Sequence, residues 1–117
     1  MRILNIVGAL NGACALIVLA AAMHLGRASI SEHMFGAMQM AGYLQLGGGA
    51  ACLALANRND RVSLVAGAMI GAGAAIFAAA IDLGAVTNNQ ALLFGAPVGG
   101  LLMIFGWLGV AFATPKT

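Results

Sequence analysis

The sequence predicts an all-α membrane protein with four transmembrane helices. Three observations carry that expectation. The 117 residues are 62% hydrophobic and only 7% charged, against about 25% charged in an ordinary soluble domain. The apolar residues gather into four runs, each long enough to cross a bilayer core of about 30 Å as a helix. The five basic and three acidic side chains all lie at or near the ends of those runs. With so little polar surface, the solvent for most of the chain is lipid. One transmembrane domain, residues 1–117, accounts for the whole sequence, with helices expected at about 3–23, 30–56, 62–83 and 91–112.

The first run follows Arg2 and ends at the alanines 20–22, an arrangement that a secretory signal peptide can share. The run is longer than a typical signal core, Asn11 interrupts it, and three more runs follow, so it is expected to remain as a membrane helix. A connection containing His24 and Arg27 comes next. Ser29 and Glu32 have capping-box spacing, in which the serine accepts from a backbone N–H and the glutamate reaches back. The second helix is therefore expected to start near Ile30. It carries Gln39, Tyr43 and Gln45, then three consecutive glycines, 47–49. Without competing water the backbone stays helical, and the glycines form a close-packing notch.

Residues 57–61 read as a polar turn, with Asp60 as the N-cap of an Ala- and Gly-rich third helix. Asp82 is expected in its last turn. Thr87 and Gln90 repeat the capping-box spacing and are expected to launch the fourth helix. In that helix Pro97 lacks the N–H that would bond the carbonyl of Leu93, which predicts a kink. Gly99 and Gly100 follow at once, and Trp107 lies toward the far end, where an indole suits the headgroup region.

Four crossings place both termini on one side. Arg2, Arg58, Arg61 and Lys116 fall on that side and Arg27 alone on the other, which predicts cytoplasmic termini by the positive-inside rule. The net charge of +2 is too small and scattered for nucleic-acid binding. Cys14 and Cys52 each stand without a second cysteine nearby, which excludes a CxxC site.

The packing motifs are Gly8/Gly12, Gly67/Gly71 and Gly95/Gly99. Each GxxxG puts two glycines on one helix face, where a neighbouring backbone can approach. Pro97 and Gly100 join them as expected packing positions. Residues 8–21 also align on residues 67–80, pairing Gly8 with Gly67 and Gly12 with Gly71. At the same offset Gly36 meets Gly95 and Gly47 meets Gly106. This repeat is the signature of two helical hairpins in parallel orientation, although Ala and Gly are common enough here for chance matches.

Polar candidates are few. Asn11 and Gln45 are expected near the middle of helices one and two, where they can hydrogen-bond across the hairpin. His24, Glu32, His33 and Asp82 belong to the other end, where they could form a metal or proton site. Their spacing is not that of a metal motif, and interfacial histidines need no ligand. No nucleophile–base pair, phosphate loop or paired carboxylate occurs.

The pattern Pro97-Val98-Gly99-Gly100 followed by Gly106-Trp107 resembles the end of the small four-helix bacterial proteins of domain-of-unknown-function family 423. Eukaryotic transmembrane protein 256 is similar. The small-residue run ending in His24 and residues 77–83 extend the resemblance. Asp82 departs from it, standing where an aromatic is common, and Tyr43 and Gln45 are displaced from the family's positions. The resemblance implies a bacterial inner-membrane protein and implies no activity.

The expected function is a non-enzymatic structural or accessory subunit that packs against other membrane helices, as a homo-oligomer or within a larger complex. The expected surroundings are membrane lipid, with no cofactor and no metal. The alternative is an oligomeric small-solute transporter or channel, with Asn11, Gln39, Gln45 and Asp82 along its path. A third class, an enzyme or cofactor carrier, would have to use the histidines.

Overall fold

A computed structural model describes residues 2–26 and 32–113, and all of the regular structure among them is helical. Helix α1 spans Arg2–Ala21 and continues as a π-helical segment, Ala22–Gly26. Helix α2 spans Glu32–Leu55 and α3 spans Arg61–Thr87. A 3-10 segment, Gln90–Phe94, leads into α4, Gly95–Val110. The Ser29 half of the first capping box, Arg27 and Lys116 lie outside the described residues.

The chain runs up, down, up and down. A methyl group added at Gly8 would lie 2.7 Å from Gly49 O, and one added at Gly42 would lie 2.6 Å from Leu19 Cγ, so α1 and α2 are antiparallel. Leu4 abuts Gly67 and Val7 abuts Gly71, so α1 and α3 run the same way. Gly73 meets Gly99, and Gly84 meets Leu93, which makes α4 antiparallel to α3. The most extensive packing is α3 on α4, then α1 on α2 and α2 on α3. Helix α3 thus lies at the centre, between α4 on one flank and the α1–α2 pair on the other. The body measures 52 × 24 × 17 Å.

Small residues fill the interior. Ala15, Ala41, Ala74 and Ala78 are buried, and the largest fully buried side chains are only Leu4, Ile70, Cys52 and Ser63. Bulky apolar side chains point outward instead, among them Ile17, Val86, Phe94 and Phe105. This distribution suits hydrocarbon, where no hydrophobic drive pulls Leu or Phe inward and close backbone contact holds helices together. Among the described residues, three helical stretches are long and apolar enough to cross a membrane: Arg2–His24, Arg61–Thr87 and Gln90–Val110. Helix α2 has the length but is diluted by Glu32, His33, two glutamines and the glycine run.

The ends of α3 and α4 differ from the sequence expectation. Asp60 does cap α3, accepting from Ser63 N at 2.8 Å and Ser63 Oγ at 2.7 Å. The helix then runs on to Thr87, four residues past the expected stop. The stop is Asn88, left-handed at φ 55°, a conformation that Asn tolerates better than most non-glycine residues. Thr87 is therefore the last residue of α3, with Oγ1 donating to Leu83 O. It is not the cap of the next helix. Asn89 takes that role, accepting from Ala91 N at 3.0 Å.

Pro97 needs correction too. Because a 3-10 segment occupies residues 90–94, the α-helix begins only at Gly95, and Pro97 falls in its first turn. An N–H is unsatisfied there in any helix, so the proline costs no hydrogen bond and marks the start of α4, not a kink within it. Its side chain is exposed, so it packs against no other helix of this chain.

Candidate functional site

The strongest concentration of chemistry in the interior is a polar node where α1, α2 and α3 meet. Asn11, 5% exposed, is carried inward because it shares a face with Leu4, Gly8 and Ala15, the other buried residues of α1. Its Nδ2 donates to Val7 O at 3.0 Å within α1 and to Gly71 O at 3.2 Å on α3. With both amide hydrogens committed to carbonyls, Asn11 Oδ1 is left as an acceptor. Gln45, 7% exposed on α2, fills it, with Nε2 donating at 3.1 Å. One turn away along α3, Cys52 Sγ donates to Gly67 O at 3.2 Å. Two side chains from two helices therefore reach carbonyls on successive turns of α3. Gly67 and Gly71 make this possible, because any Cβ there would collide with Leu4, Val7 or Cys52.

Beside the node, a lipid-facing groove of about 430 Å³ opens between α1 and α3. Ile3, Val7, Leu10 and Ala72 supply apolar walls, and Asn11, Gln45 and Cys14 reach its lining. The arrangement offers hydrogen bonding at the base of a hydrocarbon slot. It holds no nucleophile with a base and no carboxylate.

The four ionisable candidates at the other end are not drawn together in this way. His24 is exposed on the π-helical segment, and Glu32 and His33 are exposed at the start of α2. Asp82 is half-buried in α3. Because α3 extends to Thr87, Asp82 lies more than a turn inside its end, not in the last turn. Its Oδ1 is buried and has no hydrogen-bond partner among the described residues. No group of three or more His, Cys, Asp or Glu side chains that could hold a metal forms among the described residues.

The glycines divide sharply. Gly8, Gly67, Gly71 and Gly99 each lie so close to a neighbour that a Cβ would fall within 3.0 Å of it. Gly95 is looser, with Ala80 Cβ at 3.2 Å, while Gly12 and Gly100 have room, their nearest atoms at 3.9 and 4.0 Å. Gly42, Gly73, Gly84 and Gly106 are as tightly packed as the motif glycines. They stand outside GxxxG pairs, so spacing alone gave no signal. Of the glycine run, Gly48 and Gly49 form the notch, whereas Gly47 faces open space. The positions equated by the internal repeat also differ in surroundings: Gly36 and Gly47 are open, but Gly95 and Gly106 are packed.

Across its whole length the chain is similar to the UPF0382 membrane protein SAB0533 of Staphylococcus aureus (strain bovine RF122 / ET3-1). The two are 30% identical over 119 residues, covering 99% of this chain and 98% of the relative. The chain belongs to the UPF0382 family of membrane proteins. No family model matches this UPF0382 protein, and no solved structure matches it. The membership agrees with three helices apolar enough to span lipid and with an inside-out distribution of bulky side chains.

Proposed function

We propose that this UPF0382 protein is a non-enzymatic, four-crossing protein of the bacterial inner membrane, a structural or accessory subunit that packs against other membrane helices. The observation that supports this most is where the central polar groups go. Gln45, Asn11 and Cys52 hydrogen-bond to one another or to α3 carbonyls, so they tie three helices together and are not free to escort a solute. Both termini face the cytoplasm in this reading, following the arginine distribution. The Pro97–Gly100 and Gly106–Trp107 pattern supports placing the chain with domain-of-unknown-function family 423 and transmembrane protein 256.

A second reading, an oligomeric small-solute path, is favoured by one observation: the buried Asp82 Oδ1 without a partner among the described residues. Ionisable groups inside membrane helices are characteristic of ion and proton routes. The two readings separate on purification in mild detergent followed by mass measurement and liposome flux. A subunit yields a defined assembly and no flux above empty liposomes. A solute flux that Asp82→Asn abolishes would replace the first reading with the second.

A further inference from the structure

Helices α2 and α4 both pack on α3 but scarcely on each other. Both run opposite to α3, so they lie side by side in one direction with a slot between them. Its inner part, about 500 Å³, has Leu44 of α2 on one wall, Ile104 of α4 on the other, and Phe77 of α3 between them. Its outer part, about 170 Å³, lies between Ala54 and Val110 and carries Arg58 in its lining. Trp107 lines both parts. The slot stays open because Ala54 and Gly100 supply no bulk to close it.

The slot has the depth of one leaflet. Leu44 sits at the middle of α2 and Leu55 at its end. Between them the slot follows the helix for about 17 Å at 1.5 Å per residue. Half of a hydrocarbon core is about 15 Å. Arg58, half-buried, stands just past that end.

The charge of Arg58 is not spent within the chain. Of the three acidic residues, Glu32 and Asp82 belong to the opposite end. The third, Asp60, accepts from both Ser63 N and Ser63 Oγ. Those two bonds chiefly hold its carboxyl below the usual range, and Arg58 is the least of the causes.

We propose that the slot between α2 and α4 holds an anionic phospholipid of the cytoplasmic leaflet, with its phosphate on Arg58 and one acyl chain running past Trp107 toward Leu44. The proposal rests on the four-crossing reading above, which sets the depth of α2. A guanidinium fork matches a phosphate in two parallel hydrogen bonds, and basic pockets between membrane helices on the cytoplasmic side suit acidic headgroups. A zwitterionic lipid brings its own cation and gains less from Arg58. A partner helix fits worse. About 17 Å of helix, 10–12 Å across, occupies roughly 1,300 Å³ or more, and it continues through the second leaflet, where the slot has ended.

Trp107 is the only tryptophan in the chain, so its fluorescence reads the slot directly. The test uses the full chain in phosphatidylcholine liposomes that contain a minor fraction of phosphatidylglycerol. Bromines are placed on the acyl chains of the phosphatidylglycerol or, in a matched sample, of the same mole fraction of phosphatidylcholine. Brominated phosphatidylglycerol should quench Trp107 several-fold more strongly. Arg58→Gln should erase the difference, while Trp107 emission in pure phosphatidylcholine matches that of the unaltered protein. Arg61→Gln removes an equal charge from a separate groove beside Val65 and Gly109, and should keep the difference. Ala54→Leu, which narrows the slot and leaves every charge in place, should reduce it. Equal quenching by the two lipids in the unaltered protein, equal loss in Arg58→Gln and Arg61→Gln, or an undiminished preference in Ala54→Leu would overturn the proposal. Labelling of Asn59→Cys and His33→Cys from the same side would instead show that the four-crossing reading had failed.

Discussion

Asn11 makes two hydrogen bonds as a donor and one as an acceptor, and it does so from a helix that is otherwise almost wholly apolar. Removing it by Asn11→Leu leaves Gln45 Nε2 without its acceptor, so the effect should exceed that of trimming an alkyl group. Hydrogen bonds between membrane helices average about 0.6 kcal/mol and reach about 1.7 kcal/mol. Asn11→Leu should therefore destabilise by about 1 kcal/mol, and Gln45→Leu by less. A double-mutant cycle in detergent should return a coupling near 0.6 kcal/mol; strict additivity would mean that the pair contributes nothing. The histidines carry a different expectation. His24 and His33 are exposed, so changing both to Gln should leave insertion, folding and metal content unaltered. A stoichiometric metal lost in that double variant would contradict it. The amides were legible in the sequence because a polar group deep in an apolar run must find a partner. Their use of Gly71 O was not, since every helical residue offers a carbonyl and only tertiary packing chooses among them.

Adjacent glycines show what one helix element decides. Gly99 and Gly100 are about 100° apart around α4, and that rotation separates a backbone crossing from open space. A methyl at Gly99 would lie 2.5 Å from Phe77 N and 2.6 Å from Gly73 O; at Gly100 the nearest atom is Phe77 Cδ2 at 4.0 Å. Gly99→Ala should cost about 1–3 kcal/mol, the range for overpacking. Gly100→Ala should stay within about 0.5 kcal/mol. Matched unfolding curves for the two variants would refute this contrast. Sequence spacing marked both residues without ranking them, because rank depends on where α3 lies. Helix ends were similarly underdetermined. The third helix is expected to end at 83 until the left-handed Asn88 ends it after Thr87, and Pro97 reads as a kink until the 3-10 segment moves the start of α4 to Gly95. The N-cap of α3 was readable, since Asp60 works locally. Hydrogen bonds from the Ser63 hydroxyl and backbone N–H hold its carboxyl below the usual range. A lowered folded pKa means that its contribution is complete above the unfolded value, about 3.9, and is lost as pH falls through the lower folded one. Fraying at the start of α3 should grow with acid in that window, and Asp60→Asn should remove the dependence. Backbone amide exchange around Ser63 would report both.

At the scale of the whole molecule, the alternation of helix directions is built into the contacts, and the proposed orientation in the bilayer is argued from charge. Gly8 on Gly49, Leu4 on Gly67 and Gly73 on Gly99 make the four helices alternate in direction. Alternation puts residues 57–60 at the same end as Arg2, and His33 at the opposite end. Arg58 and Arg61 then join Arg2 at one surface, and moving such a cluster across a membrane is disfavoured. Helix α2 is the element on which this depends, because it is less apolar than the other three. If α2 crosses, a cysteine at Asn59 reacts with a membrane-impermeant maleimide only from the cytoplasmic side, in inverted vesicles. One at His33, which is exposed at the far end of α2, reacts only from outside, in intact spheroplasts. Gly47 offers a control within the same helix: it lies well inside α2, so in the four-crossing reading a cysteine there should resist the reagent from either side. Reaction of Asn59→Cys and His33→Cys from one side, or ready labelling at Gly47→Cys, would take α2 out of the bilayer core and reduce the protein to three crossings, with its termini on opposite faces.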